Sequence, residues 1–196
     1  MGDWPAADDI TIAIALDSWR PTPGTRETVR RNAGRHLVFT DNALIPPKWP
    51  ALNGSWRFPP PLGVQETTEL STADQVTVSR HLQVPEIRVQ MNRAPLRDLS
   101  DPTTPPPTPA DSDGRSAQTF LVDVVVRRAG ERRRATASGR DIYAVTAPLA
   151  VEAMARILDG RLHRPPGAAA PGDLFDAPDF LRSPSPAHLT FTEAAG

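Results

Sequence analysis

The sequence predicts an α+β fold: a largely antiparallel sheet of about six strands, one main helix packed across it, and long proline-rich loops at one edge. Three observations lead there. Residues 10–16 and 120–127 alternate their side chains with the period of two that marks a strand. Residues 147–158 are apolar around most of a helical circumference. The 23 prolines and 12 glycines among 196 residues leave long stretches that can be neither helix nor strand.

The first strand sets Ile10, Ile12, Ile14 and Leu16 on one face and Thr11, Ala13 and Ala15 on the other. Pro21 and Pro23 turn the chain, and a short polar helix over residues 26–33 follows, with Thr25 placed to cap it and Gly34 to end it. Val29 is its one strongly apolar residue, which makes it a rim element. Residues 36–40 and 43–45 read as a hairpin, because Asp41-Asn42 tolerates the left-handed conformations of a tight turn. Residues 46–61 combine prolines with Trp49, Trp56 and Phe58, the composition of an ordered loop. Strand patterning resumes over residues 76–82 and 86–91, on either side of Pro85.

Residues 98–114 hold Pro102, Pro105, Pro106, Pro107 and Pro109 among polar residues, which predicts a polyproline-like or mobile loop. The strongest strand then follows, and Ala129-Gly130 turns it back into a partner over residues 131–138. Thr146 is placed to cap the main helix, Pro148 sits in its first turn, and Gly160 stops it. Glu152, Arg156 and Asp159 form its single narrow polar stripe, so the helix is expected to be buried on more than one side. A sheet covers only part of such a helix, and a second apolar body must cover the rest. Residues 165–196 read as an extended tail anchored by Leu174, Phe175, Phe180 and Leu181, and residues 1–196 as one domain.

Composition narrows the function. The net charge is -1, and the 22 basic residues include a single lysine, Lys48, a bias that reflects GC-rich coding. There is no cysteine, which excludes disulfides, thiolate nucleophiles and cysteine-ligated metals. No apolar run approaches the roughly 20 residues that cross a bilayer, and residues 1–9 resemble no export signal. The chain is expected to be cytoplasmic and to have no membrane partner.

Motifs exclude more than they assign. No G-x-G occurs; Gly167 and Gly172 have the Walker spacing but are followed by Asp173 and Leu174, so no nucleotide cradle is encoded and no cofactor is expected on this chain. The serine-hydrolase elbow and the zincin helix are missing, and His36, His81, His163 and His188 are too scattered for a helical metal pair. Lys48 lies in a proline-rich loop and reads as a solvated lysine rather than a Schiff-base amine. Arg127, Arg128, Arg132, Arg133 and Arg134 bracket a turn and read as a solvated hairpin tip rather than a nucleic-acid surface. Ser79-Arg80-His81 and Gly139-Arg140-Asp141-Ile142-Tyr143 each set a guanidinium beside a group able to move a proton or hold a hydrogen bond. Asp17-Ser18-Trp19-Arg20 adds an aromatic wall.

The runs IALDSWRPTPGTRET, VTVSRHL, GRSAQTFLVDVVVRR and GRDIYAVTAPLAVEAMARIL together resemble the C-terminal half of bacterial saccharopine dehydrogenase-like (saccharopine reductase-type) proteins, over residues 8–191. Members join a Rossmann half that binds NAD(P) to an α+β half that holds substrate and often mediates dimerisation. The resemblance is to the second half only. It implies a substrate pocket lined by Trp19, Arg26, Arg80 and Gln118, with His81 and Tyr143 as the candidate catalytic pair. It also implies a helix, here residues 146–159, that packs against the nucleotide-binding half.

Three functions follow. The chain is expected to be the substrate-binding domain of an oxidoreductase whose NAD(P) is held by a separate Rossmann-type subunit. Alternatively it is a cofactor-independent cyclase or isomerase of secondary metabolism that holds a reactive conformer, or a non-catalytic dimerisation and binding module. A homodimer is expected, since a two-fold contact would cover the main helix.

Overall fold

The computed structural model describes residues 4–48, 50–163 and 167–194. Among these, nine strands form one sheet and six helices lie around it. The strands are β1 (Asp9–Leu16), β2 (Val38–Thr40), β3 (Ala43–Ile45), β4 (Asn53–Arg57), β5 (Val64–Glu69), β6 (Ile87–Asn92), β7 (Thr119–Arg128), β8 (Glu131–Arg140) and β9 (Leu189–Ala194). The helices are α1 (Pro23–Asn32), α2 (Ala73–His81), α3 (Arg93–Ser100), α4 (Thr146–Leu158), α5 (Pro171–Leu174) and α6 (Ala177–Arg182). The order across the sheet is β3-β2-β6-β1-β7-β8-β9, with β5 on the outer side of β6 and β4 beyond it. Only β1 and β6 run parallel; every other pairing is antiparallel. The largely antiparallel α+β character therefore holds, but with nine strands rather than about six, and six helices rather than one main helix and one short one.

Register sorts the side chains into two faces. Ile10, Ile12 and Ile14 of β1 stand beside Ile87, Val89 and Met91 of β6 and Val126, Val124 and Val122 of β7. This face continues through Ala135, Ala137 and Gly139 of β8 to Glu193, Phe191 and Leu189 of β9. α2 covers its β1–β6 half through Val78 and Leu82. The opposite face is thinner: Ala13 and Ala15 pack against Phe58, Trp56 and Leu62 from the β4–β5 hairpin. At its centre Asp123 of β7 is 0% exposed and accepts hydrogen bonds from Trp56 Nε1 (2.7 Å) and Arg134 Nε (2.7 Å).

Several expectations are corrected. Residues 76–81 belong to helix α2, not to a strand, and Leu82 is its C-cap. The T-x-x-Q spacing lets the Gln75 side chain reach back to the Thr72 N–H (2.9 Å), half of a capping box, and Val78 and Leu82 meet the core four residues apart. Residues 93–100 form α3, which tolerates Pro95 because the first helical N–H groups have no partner inside the helix. α1 begins earlier than expected, with Thr22 rather than Thr25 as its cap. The C-terminal tail is not merely extended: it supplies α5, α6 and edge strand β9. Trp49 and Pro165 lie outside the described residues.

The main helix departs most. Its apolar surface is not wrapped: Val151 is 67%, Met154 55% and Leu158 79% exposed, whereas Arg156 is 4% exposed. Glu152 and Arg156 of the polar stripe point inward, whereas Asp159 is exposed. Arg156 donates to Glu152 (2.6 Å) and to Asp179 of α6 (2.7 Å), and lies over the Phe180 ring. Gly160 does stop the helix, at φ 70°. Both hairpin turns take the expected left-handed residues, Asp41 and Asn42 (φ 51° and 62°) and Ala129 and Gly130 (φ 49° and 84°).

Candidate functional site

Trp19, Arg26, Gln118 and Tyr143 come together where β1 and β8 end and β7 begins. Trp19 Nε1 donates to Tyr143 Oη (2.9 Å), and that hydroxyl also bonds Thr25 Oγ1 (3.1 Å). Gln118 Oε1 accepts from the Arg20 N–H (2.6 Å), while its amide nitrogen donates to Ser116 Oγ (3.0 Å). Arg26 donates to the carbonyls of Asp101 (3.2 Å) and Thr104 (2.8 Å), pinning the proline-rich loop to α1. These groups bond to the protein itself, so the cluster is a junction that ties α1, the loop and α4 to the sheet.

Asp141 anchors that junction. It adopts φ 59° and accepts from the N–H groups of Ser116 (2.7 Å), Tyr143 (3.0 Å) and Ala144 (3.1 Å). Burial pushes its carboxyl pKa up, but these donors outweigh burial and hold it below the usual value.

Arg80 and His81 lie elsewhere. They end α2, are exposed, and His81 sits 2.9 Å from the Thr77 carbonyl through Nδ1 and against Gly172. Gln83, just beyond, forms an isolated bridge with Ala6, three residues ahead of β1. His81 thus lies toward the end of the sheet where β1 begins, and Tyr143, bonded to Trp19, toward the end where β1 finishes. The structure places the two residues of the expected pair toward opposite ends of β1.

A concave site lies on the β7–β9 face. A cleft of about 540 Å3 has Phe120, Val122, Ala135, Ala137, Leu189 and Phe191 as its floor. Ile142, Val145 and Leu149 from the start of α4, with Pro178 and Leu181 from α6, form its roof. Its depth comes from β8, where alanine stands opposite the valines of β7. Gly139 ends the row, because a Cβ there would lie 2.9 Å from the His188 carbonyl and 3.0 Å from the Phe120 ring. The charged lining is Asp74 and Glu193, the latter paired with Arg182 (2.9 Å). The volume falls in the range of about 300–1,000 Å3 usual for small-molecule sites.

Sequence reasoning passed over these lining residues. The signal was the run of small residues at alternate positions of β8, together with Leu189 and Phe191 at strand spacing. The basic hairpin, by contrast, is largely occupied within the fold: Arg127 pairs with Asp9 (2.7 Å), Arg134 with Asp123, and Arg133 lies 4.1 Å from the Trp4 ring centre. Among the described residues no group of three or more His, Asp or Glu is placed to hold a metal ion, and no helix is long and apolar enough to cross a membrane. No protein-family model and no curated protein matches this chain.

Proposed function

We propose that this chain is the substrate-binding half of a saccharopine dehydrogenase-like oxidoreductase, holding a small, largely apolar molecule in the β7–β9 cleft while a separate Rossmann-type body binds NAD(P). The cleft is the observation that carries the reading: a site of about 540 Å3 walled by aliphatic and aromatic side chains. The resemblance converges on it, because two of the runs that carry it supply Phe120 and Val122 to the floor and Ile142, Val145 and Leu149 to the roof. Arg80 and His81 stand outside this site, and Tyr143 serves in the junction behind it.

Fluorescence titration with an environment-sensitive apolar dye tests the cleft. The wild-type chain should bind the dye, and Ala137→Leu, which fills the floor, should weaken binding at least about tenfold while the fold is retained. Equal binding by the filled variant would refute the site. Titration with NADPH should give no binding to the purified chain alone.

The outer face of α4 favours an additional role. Val151, Met154 and Leu158 form an exposed apolar strip of the kind that subunit contacts use, and a second copy of the chain is the proposed cover.

A further inference from the structure

We infer that the molecule held in the cleft carries an anionic head, a carboxylate, seated on Arg140 and His188. This rests on the reading of the cleft as a small-molecule site. A smaller cavity of about 190 Å3 adjoins the cleft, and Val145 lines both. The sheet register gives the direction. Ala135 pairs with Glu193, Ala137 with Phe191 and Gly139 with Leu189, so the cleft floor runs along β8 and β9 from a carboxylate-bearing end to the Gly139–Leu189 end. The next residues, Arg140 and His188, line the smaller cavity with Arg115 and Asp113.

The charges at that end are not equally occupied. Arg115 is held by Asp111 (2.9 Å), Asp113 (3.0 Å) and the Ala187 carbonyl (3.4 Å). Arg140 donates its Nε–H to the Ser116 carbonyl (2.9 Å), and its Nη1 makes a long ion pair with Asp111 (3.7 Å) without a hydrogen bond, so its terminal nitrogens keep their N–H donors. The guanidinium edge of Arg140 is therefore able to take a carboxylate, for which its planar donors are suited. The imidazole of His188 is exposed beside it and adds a ring N–H. The other end offers an anion no such partner, since Asp74 is itself acidic and Glu193 is already paired with Arg182, so a bound amphiphile has one favourable orientation: head at Arg140, apolar body over Ala137 and Phe191.

Three probes of one chain length separate the possibilities: dodecanoate, dodecanol and dodecylamine, each displacing the apolar dye from the full chain. Dodecanoate should bind about tenfold more tightly than dodecanol, the worth of one charge-assisted contact. Arg140→Gln and His188→Leu should each reduce that preference while leaving dodecanol affinity unchanged, and Arg140→Lys should restore part of it. Equal binding of acid and alcohol, tightest binding of the amine, or a preference that survives both substitutions would overturn the inference and leave the cleft reading standing. Failure of all three probes to displace the dye, or displacement unaffected by Ala137→Leu, would overturn the cleft reading itself.

Discussion

Asp141 shows how much one side chain holds. Its two oxygens gather three backbone N–H groups from two segments, and its left-handed conformation aims Tyr143 back at Trp19. Asparagine tolerates the same conformation but presents an amide where one oxygen stood. Asp141→Asn should therefore cost about 1–3 kcal/mol, measured by urea unfolding at neutral pH. The folded-state pKa lies below the ordinary 3.8, so the carboxylate's stabilisation is complete above that value and is lost as pH falls through the folded value. In the variant this part of the acid-side decline should vanish. Asp123 is the second such residue: Asp123→Ala strands Arg134 within the sheet and should cost about 3–5 kcal/mol. Little of this was legible beforehand. Asp123 read as one polar position on the secondary face of a strand, and nothing local names Trp56 and Arg134 as its partners across 67 and 11 residues.

At the scale of elements, patterns that stay local were readable and those that depend on a neighbour were not. β1, the β2–β3 hairpin and the β7–β8 hairpin follow from alternation and turn chemistry. α2 was missed because Val76, Val78 and Leu82 satisfy both a period of two and a spacing of four, and the Thr72–Gln75 cap decides between them. α4 has the expected extent, with Val145 rather than Thr146 as its N-cap, but the opposite orientation, since Arg156 finds Asp179 on a helix that no local pattern places beside it. The hydrogen bond that Arg156 also donates to Glu152 (2.6 Å) is the main cause that holds the Glu152 carboxyl below the usual carboxylate range. Arg156→Ala should cost about 2 kcal/mol and release α6. Hydrogen exchange at residues 177–182 should accelerate more than that of β7, and dye binding should weaken, because Pro178 and Leu181 lose their support.

For the whole molecule, the continuous sheet is what brings the resemblance-bearing runs into one place. β7 and the start of α4 sit on the same face although 20 residues and a hairpin separate Val122 from Ile142. The cleft was invisible in sequence because it is a space between elements, and its far wall is a strand from a segment read as a tail. The exposed strip on α4 gives the prediction at this scale. Light scattering after size exclusion should show a dimer that Val151→Glu together with Leu158→Glu converts to monomer, with the fold intact by circular dichroism. A wild-type chain already monomeric at high concentration would remove the second copy as the cover.

Residues 177–194 contribute both α6 above the cleft and β9 beneath it, so one stretch of backbone is hinge, ceiling and outer plank of the same room. Seating that stretch and admitting a guest are consequently a single equilibrium. A tight guest would act as a latch, adding to stability in proportion to the logarithm of its concentration over its dissociation constant. Deleting the stretch would abolish the room while sparing the paired strands from β3 to β8.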